Sequence, residues 1–432
     1  MLARMSAYRP RVIDAELDEL FGPLPAIAIE GAKGVGKTAT AERRVATIVR
    51  LDDPPQQELA RADVQLPLRG DPPVLLDEWQ RVPPLWDAVR RAVDDRDPPG
   101  PFLLTGSAVP PSGGSDPERH SGAGRIDALR MRPMTLIERL DLAPTVSLRD
   151  LLGGARTELT GSSSLTLTEY TEEILSSGFP GIRALPGRAR RVRLDGYITR
   201  IIDRDFPNEL GEKVRQPDLL RRWMRAYAAA TATTTTMDKI RDAATAGQST
   251  PAKTTALAYR TALERLFIVD PLDGWLPTNN HLKRLTQAPK HHLVDPALAA
   301  HLLGMTADKL LTGDGGPLAL PRDGTLLGSL FESLAALSVR VFAQAADATV
   351  RHLRTQEGRQ EIDMIVEDAS GGVLALEVKL SATVEDRDVR HLSWLRAQLG
   401  EQVRDAAIIT TGPQAYRRSD GIAVIPLALL GP

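Results

Sequence analysis

The sequence predicts an α/β protein in three parts: a phosphate-binding α/β core over 1–160, a helical and winged-helix-like middle over 161–285, and a second α/β domain over 286–432. Three observations carry this prediction. A glycine-rich octapeptide, Gly31-Ala32-Lys33-Gly34-Val35-Gly36-Lys37-Thr38, fits G-x-x-x-x-G-K-[ST] at every fixed position. An apolar run ending in two carboxylates, Val74-Leu75-Leu76-Asp77-Glu78, follows about 40 residues later. Near the C-terminal end, an apolar helix precedes a hairpin, a helix and a strand.

The octapeptide sits between a short buried strand, Ile27–Glu30, and a helix expected over Ala39–Val45. That context is what a phosphate-binding loop needs. Glycines let backbone N–H groups turn inward around phosphate oxygens, and the helix N-terminus adds its positive end. The pattern points to ATP with Mg²⁺. Gly31 to Thr38 wrap the phosphates, Lys37 reaches the β- and γ-phosphates, and Thr38 holds the metal. In Val74–Glu78 the apolar residues form a buried strand. Asp77 is the expected second Mg²⁺ group and Glu78 the group that orients or deprotonates water. A third strand, Phe102-Leu103-Leu104, ends in Thr105-Gly106-Ser107. Thr105 and Ser107 are candidates to sense the γ-phosphate or the attacking water, and Gly106 permits a sharp exit. Pro110 to Gly124 reads as a loop rich in Pro, Ser and Gly. Arg125 follows it, and serves either as a charge-stabilising arginine, in cis or from a neighbouring copy, or as a solvated side chain.

Composition sets the bounds. With 432 residues, 42% apolar and 25% charged, the chain can bury large cores as an ordinary globular protein. The formal net charge of −2 supplies no global field for nucleic acid, so a basic surface must be local. There is no cysteine, which excludes disulfides, thiolate metal sites and cysteine nucleophiles. The opening stretch MLARMSAYRPRVIDAEL does not read as a signal peptide. No run of about 18 apolar residues suggests a membrane span. A cytoplasmic protein is the expectation. His291 and His292 lack the spaced companions of a histidine zinc site.

From about Leu136 the pattern turns helical and breaks at Gly178-Phe179-Pro180-Gly181. Residues 183–225 carry twelve Arg or Lys against six Asp or Glu, densest at Arg188, Arg190, Arg191 and Arg193. Asp195, Tyr197, Ile198, Ile201 and Ile202 continue with helical spacing and an apolar face. These arginines suit phosphates of DNA or RNA, and equally a solvated face or an inter-domain salt-bridge surface. Helices over Met237–Ala244 and Thr254–Glu264, a strand over Leu266–Val269 and a turn at Asp273-Gly274 suit a winged helix-turn-helix. The threonines 233–236 mark a polar helix entry. A helical packing module without nucleic-acid contact fits the same pattern. Pro289-Lys290 and Asp295-Pro296-Ala297-Leu298 read as a strand and a helix capped by Asp295, structural in role.

In the C-terminal part, Glu361–Val366 and Val373–Lys379 read as hairpin strands joined at Ala369-Ser370-Gly371-Gly372. Alternate side chains share a face, so Glu377 and Lys379 point the same way and Asp363 lies across from them. A helix over Glu385–Leu399 and a strand over Ala407–Thr410 follow. Upstream, the apolar helix Leu327–Phe342 bears one carboxylate, Glu332.

Two resemblances follow from these residues. The octapeptide, LLDEWQRVPPLWDAVRR, FLLTGSA, the GAGR–LRMRPMTLIE stretch, SGFPGIR and YITRIIDRD occur in this order. Over roughly residues 20–425 that series resembles the bacterial and archaeal AAA-type ATPases that carry a C-terminal domain of unknown function 4143. Glu332, Asp363, Glu377 and Lys379 resemble the site of the PD-(D/E)XK nuclease superfamily, with its α-β-β-β-α-β core. That resemblance implies Mg²⁺ on Glu332, Asp363 and Glu377, with Lys379 holding or activating the nucleophile. It leaves open a cleaving site, a decayed one that only binds nucleic acid, and an ATP-driven switch that docks a protein partner. A homo-oligomer is compatible with an arginine acting in trans.

Overall fold

Strand Ala26–Glu30 (β1) is apolar at its first four positions, all buried, and its neighbour Phe102–Gly106 is buried throughout. Thr47–Arg50 forms β2, Val74–Asp77 β3, Phe102–Gly106 β4 and Asp127–Arg130 β5. They pair in the order β2-β3-β4-β1-β5, and every pair is parallel. The runs Val74-Leu75-Leu76 and Phe102-Leu103-Leu104 are buried throughout, as expected of a parallel sheet covered on both faces. Trp79, Leu85, Ala88 and Val89 of the segment after β3 pack into the same core. Placing β4 between β1 and β3 puts the ends of three motif-bearing strands side by side. Ligands of open parallel sheets bind at such carboxyl ends.

The computed structural model describes residues 8–95, 101–107, 124–155, 158–206, 216–245, 250–276, 287–312, 324–355 and 358–432. Internal contacts divide the chain into two compact units. One comprises Met1–Arg132, Asp203–Val214 and Thr261–Ile268, and the other Pro133–Ile202, Arg215–Arg260 and Val269–Pro432. The second unit therefore gathers residues of both the expected middle and the expected C-terminal domain. The loop expected from Pro110 lies outside the described residues up to Gly124.

In the second unit, a mixed sheet is built on a β-hairpin. Its strands are Gly274–Trp275 (β7), Thr349–Arg354 (β8), Glu361–Glu367 (β9), Val373–Lys379 (β10), Val403–Thr410 (β11), Tyr416–Arg417 (β12) and Ala423–Pro426 (β13), in the order β12-β13-β11-β10-β9-β8-β7. The β9–β10 pair is antiparallel and β10–β11 parallel. The crossover between β10 and β11 carries the helix Arg390–Leu399, whose Leu392 and Leu395 are fully buried against the sheet. The long helix Gly324–Ala345 precedes β8. Its segment Leu326–Ala345 is long and apolar enough, by length and composition, to cross a membrane, and most of it is buried within the protein. A core helix packed on all sides has the same composition.

Two local expectations fail. The helix Lys253–Arg265 continues to the edge of the apolar run 266–269, so Leu266 and Phe267 form a turn, and of that run only Val269 bridges, to Leu293. Asp273-Gly274 is no turn. Gly274 begins β7, which pairs with β8, and Trp275 fills the core beneath. A Cβ on Gly274 would stand 2.2 Å from Gln287 Cβ, so close approach explains the glycine. The helices Pro217–Ala229, Met237–Ala243 and Lys253–Arg265 are present, with Thr236 capping the second through Lys239 N–H.

Candidate nucleotide site and a second polar cluster

Gly34 and Gly36 adopt φ of 84° and 110°, values that an L side chain resists, so the loop curls back before the helix Lys37–Ala41. A Cβ on Gly31 would lie 2.2 Å from the Met131 carbonyl oxygen. Lys37 is 6% exposed. Its Nζ donates to the carbonyls of Gly31 (2.8 Å) and Ala32 (3.1 Å). The Arg11 guanidinium braces the loop from behind, donating to the carbonyls of Val35 (2.9 Å) and Arg132 (2.8 Å). Lys33 carries an ion pair, 3.3 Å to Asp205.

The strand order joins the other predicted residues to this loop. Asp77 and Thr105 are register partners on β3 and β4. Asp77 Oδ1 accepts from Thr38 Oγ1 at 2.7 Å and also from Thr105 Oγ1. Thr105 Oγ1 in turn accepts from Glu78 N–H at 3.3 Å. Glu78 takes a left-handed backbone, φ 56°, costly for a non-glycine residue. Its Oε2 accepts from Gln80 Nε2 (2.6 Å) and Ser107 Oγ (3.2 Å). Thr38, Asp77, Glu78, Thr105 and Ser107 thus form one connected network. Gln80 was not expected in it. It lies within the quoted DEWQR stretch, where the three-residue 3₁₀ turn Trp79–Arg81 brings its amide back onto Glu78. Gly106 is needed because Trp79 Nε1 would stand 3.0 Å from a Cβ there.

Arg125 is placed differently. Its Nε pairs with Asp94 at 2.6 Å, and both side chains are about two-fifths exposed (41% and 40%). Among the described residues that acid is its partner, not a member of the phosphate-site network.

The second unit brings Glu332, Asp363, Glu377 and Lys379 into one cluster, with an addition. Lys290, 1% exposed, donates to Glu332 Oε1 (2.8 Å) and Asp363 Oδ1 (2.9 Å), and lies 3.6 Å from Glu361 Oε1. Asp363 Oδ2 accepts from Val378 N–H at 2.8 Å. Lys379 Nζ donates to Glu377 Oε1 at 2.8 Å, and Glu377 Oε2 is buried without a hydrogen-bond partner. Burial, aided by the Asp363 charge, pushes both Glu332 and Glu377 up to about 8. Burial also raises Asp363, but Lys290 and the Val378 N–H outweigh it and hold that carboxyl below its ordinary range. Burial pulls Lys290 down, but Asp363 and Glu332 prevail and keep it charged. Among the described residues no group of three or more His, Cys, Asp or Glu is arranged to hold a metal ion. The position between Glu332 and Asp363 is taken by an ammonium. The sequence reading gave Lys290 a structural role; nothing in its local pattern points to residues 42 and 73 positions away.

Of the basic segment, Arg188, Arg191, Arg193 and Arg200 are exposed on the helix Gly187–Arg200, while Leu194 and Ile198 face inward. Arg190 turns back to Ser176 Oγ and the Leu185 carbonyl.

Comparison with known proteins gives three matches along the chain. Residues 24–140 match the AAA domain. Residues 167–309 match a domain of unknown function, DUF8612, and 327–430 match the domain of unknown function DUF4143. The chain therefore carries a match to an AAA domain over 24–140 and to a domain of unknown function 4143 over 327–430. Uncharacterized proteins of Mycobacterium tuberculosis and Mycobacterium bovis are each 28% identical over 409 residues, covering 93% of this chain and 80% of theirs. Two solved structures overlay weakly, each at 15% identity. The Walker-type ATPase PABY2304 of Pyrococcus abyssi has a TM-score of 0.37, with 67% of this chain and 94% of that one covered. The Aeropyrum pernix ORC1 protein in complex with DNA has a TM-score of 0.25, with 69% and 94% covered.

Proposed function

We propose that the chain binds ATP with Mg²⁺ at the P-loop, hydrolyses it with Glu78 as the group that takes the proton from water, and uses the cycle to act on nucleic acid. The observation that carries the hydrolytic part is the network in which Thr38 and Thr105 converge on Asp77 while Gln80 and Ser107 hold Glu78. The residues fit a Mg²⁺-nucleotide. Left-handed φ at Gly34 and Gly36 gives the loop the tight turn such a site needs, and a hydroxyl and a carboxylate meet 2.7 Å apart beside it. Mg²⁺ would be held by Thr38 and, through water, by Asp77, and would neutralise charge on the phosphate oxygens. Lys37 would exchange its loop carbonyls for the β- and γ-phosphates. Thr105 fixes Asp77, and Glu78 positions the water.

The nucleic-acid part rests on the exposed arginines Arg188, Arg191, Arg193 and Arg200, which can neutralise backbone phosphates. Two measurements separate the claims. Lys37→Ala should remove ATP turnover, and unchanged turnover would refute the site. Replacing Arg188, Arg191 and Arg193 by Gln should weaken nucleic-acid binding and lower its salt slope by up to about 3. Unchanged affinity and slope would favour the reading in which ATP drives a switch that docks a protein.

A further inference from the structure

The D-x(n)-E-x-K pattern implies a divalent metal among Glu332, Asp363 and Glu377, and the donor set does not fit one. Three of its oxygens are committed to ammonium groups, Glu332 Oε1 and Asp363 Oδ1 to Lys290 and Glu377 Oε1 to Lys379. Asp363 Oδ2 is committed to a backbone N–H. Lys290 cannot swing away cheaply. Its backbone N–H and carbonyl both bond to Leu272, at 2.8 Å and 2.9 Å, so the side chain starts from a fixed point and ends in a buried pocket. Next to it, His292 Nδ1 meets Ser333 Oγ at 3.2 Å, holding the same segment against the helix that bears Glu332. A buried ammonium requires a carboxylate partner, and the Asp363 carboxylate, held charged, requires a cation. The two demands meet here within the chain.

We propose that the Lys290 ammonium is the resident cation of this cluster, and that it stands where the nuclease-type pattern would place a divalent metal. A Mg²⁺ ion held about 2.0–2.1 Å from the same oxygens, or a Mn²⁺ ion in its place, would lie almost on the ammonium, and like charges at that separation repel strongly. The cluster is then a built-in salt bridge that ties the 290–292 segment, the long helix and the β9–β10 hairpin together. Metal-dependent phosphodiester cleavage is not an activity of this chain while Lys290 is in place. The inference stands apart from the ATPase reading, since the two sites share no residue.

The test is Mn²⁺ binding to the nucleotide-free full chain, followed by electron paramagnetic resonance. Asp77→Asn is present throughout to remove the P-loop ligand. With Lys290 in place, Mn²⁺ uptake should not depend on Asp363. Lys290→Met should create one Mn²⁺ site per chain, bound at least tenfold more tightly, and Asp363→Asn should abolish that gain. If Lys290→Met fails to fold, Lys290→Gln, which keeps a polar end in the same space, takes its place. Mn²⁺ binding weakened tenfold by Asp363→Asn in the chain that keeps Lys290 would overturn the proposal. So would a folded Lys290→Met or Lys290→Gln variant that gains no site.

Discussion

Thr105 Oγ1 donates to Asp77 and accepts from Glu78 N–H, so one hydroxyl fixes both acidic residues at the end of β3. Thr105→Ala removes both of these bonds, and Thr105→Ser keeps them. ATP turnover should fall by roughly 10- to 100-fold in the alanine variant, the scale of losing orientation around a general base, and recover most of its value in the serine variant. Equal rates in all three proteins would remove Thr105 from the site. The Glu78 carboxylate is held by Gln80 through the shorter of its two side-chain bonds, 2.6 Å against 3.2 Å to Ser107, although the amide lies only two residues away in sequence. The motif residues were legible because phosphate chemistry fixes their spacing within one strand-loop-helix unit. Gln80 and Lys290 were not, because their roles depend on where a turn or a distant strand delivers them.

At the level of elements, the strands and the long helix were readable from apolar runs, and the wing was not. The stretch 266–269 has the composition of a strand, but the helix before it runs to Arg265, and Gly274–Trp275 finds a better partner in β8 than in a local hairpin. Tertiary pairing overrides local propensity at such short segments. The break at SGFPGIR has a physical reason that the residues alone did not reveal. Asp295 accepts from Ser177 Oγ (2.6 Å) and Gly178 N–H (2.7 Å) through one oxygen, and caps its own helix through the other by way of Ala297 N–H (3.0 Å). It also lies 3.8 Å from the Arg139 guanidinium, and both side chains are fully buried. Asp295→Ala leaves that arginine without its carboxylate, so denaturant unfolding should show a loss of about 3–5 kcal/mol. A change below about 1 kcal/mol would mean that the latch contributes little.

The same unit carries a pH dependence. Burial holds His291 and His292 below the usual imidazole range, and burial with the Lys290 charge lowers His352 to about 4. A histidine depressed on folding is neutral in the folded state while the unfolded chain takes up protons below about 6.5. Its contribution is therefore present above that pH and is lost as pH falls toward 4. His352→Gln removes one such group, so its stability relative to wild type should improve steadily between pH 6.5 and 4. A difference that stays constant over that range would contradict the assignment.

For the whole molecule, the question is whether one chain suffices. Arg125 rests on Asp94 at a half-exposed position, outside the phosphate-site network. If it completes the site of a neighbouring copy, turnover per chain should rise with protein concentration, and mixing Arg125→Ala with Lys37→Ala protein should restore activity. A flat rate without rescue would assign the complete reaction to a single chain.

The central claim, that Asp77 and Glu78 divide metal holding from water activation, is tested most directly by Glu78→Gln. ATP affinity and turnover are measured on the same preparation. The amide keeps the shape of the side chain and leaves Thr38, Asp77 and Thr105 in place, so ATP should bind within about threefold of wild type while turnover falls by roughly 10²–10⁴-fold. Turnover at the wild-type rate with ATP bound would contradict the account.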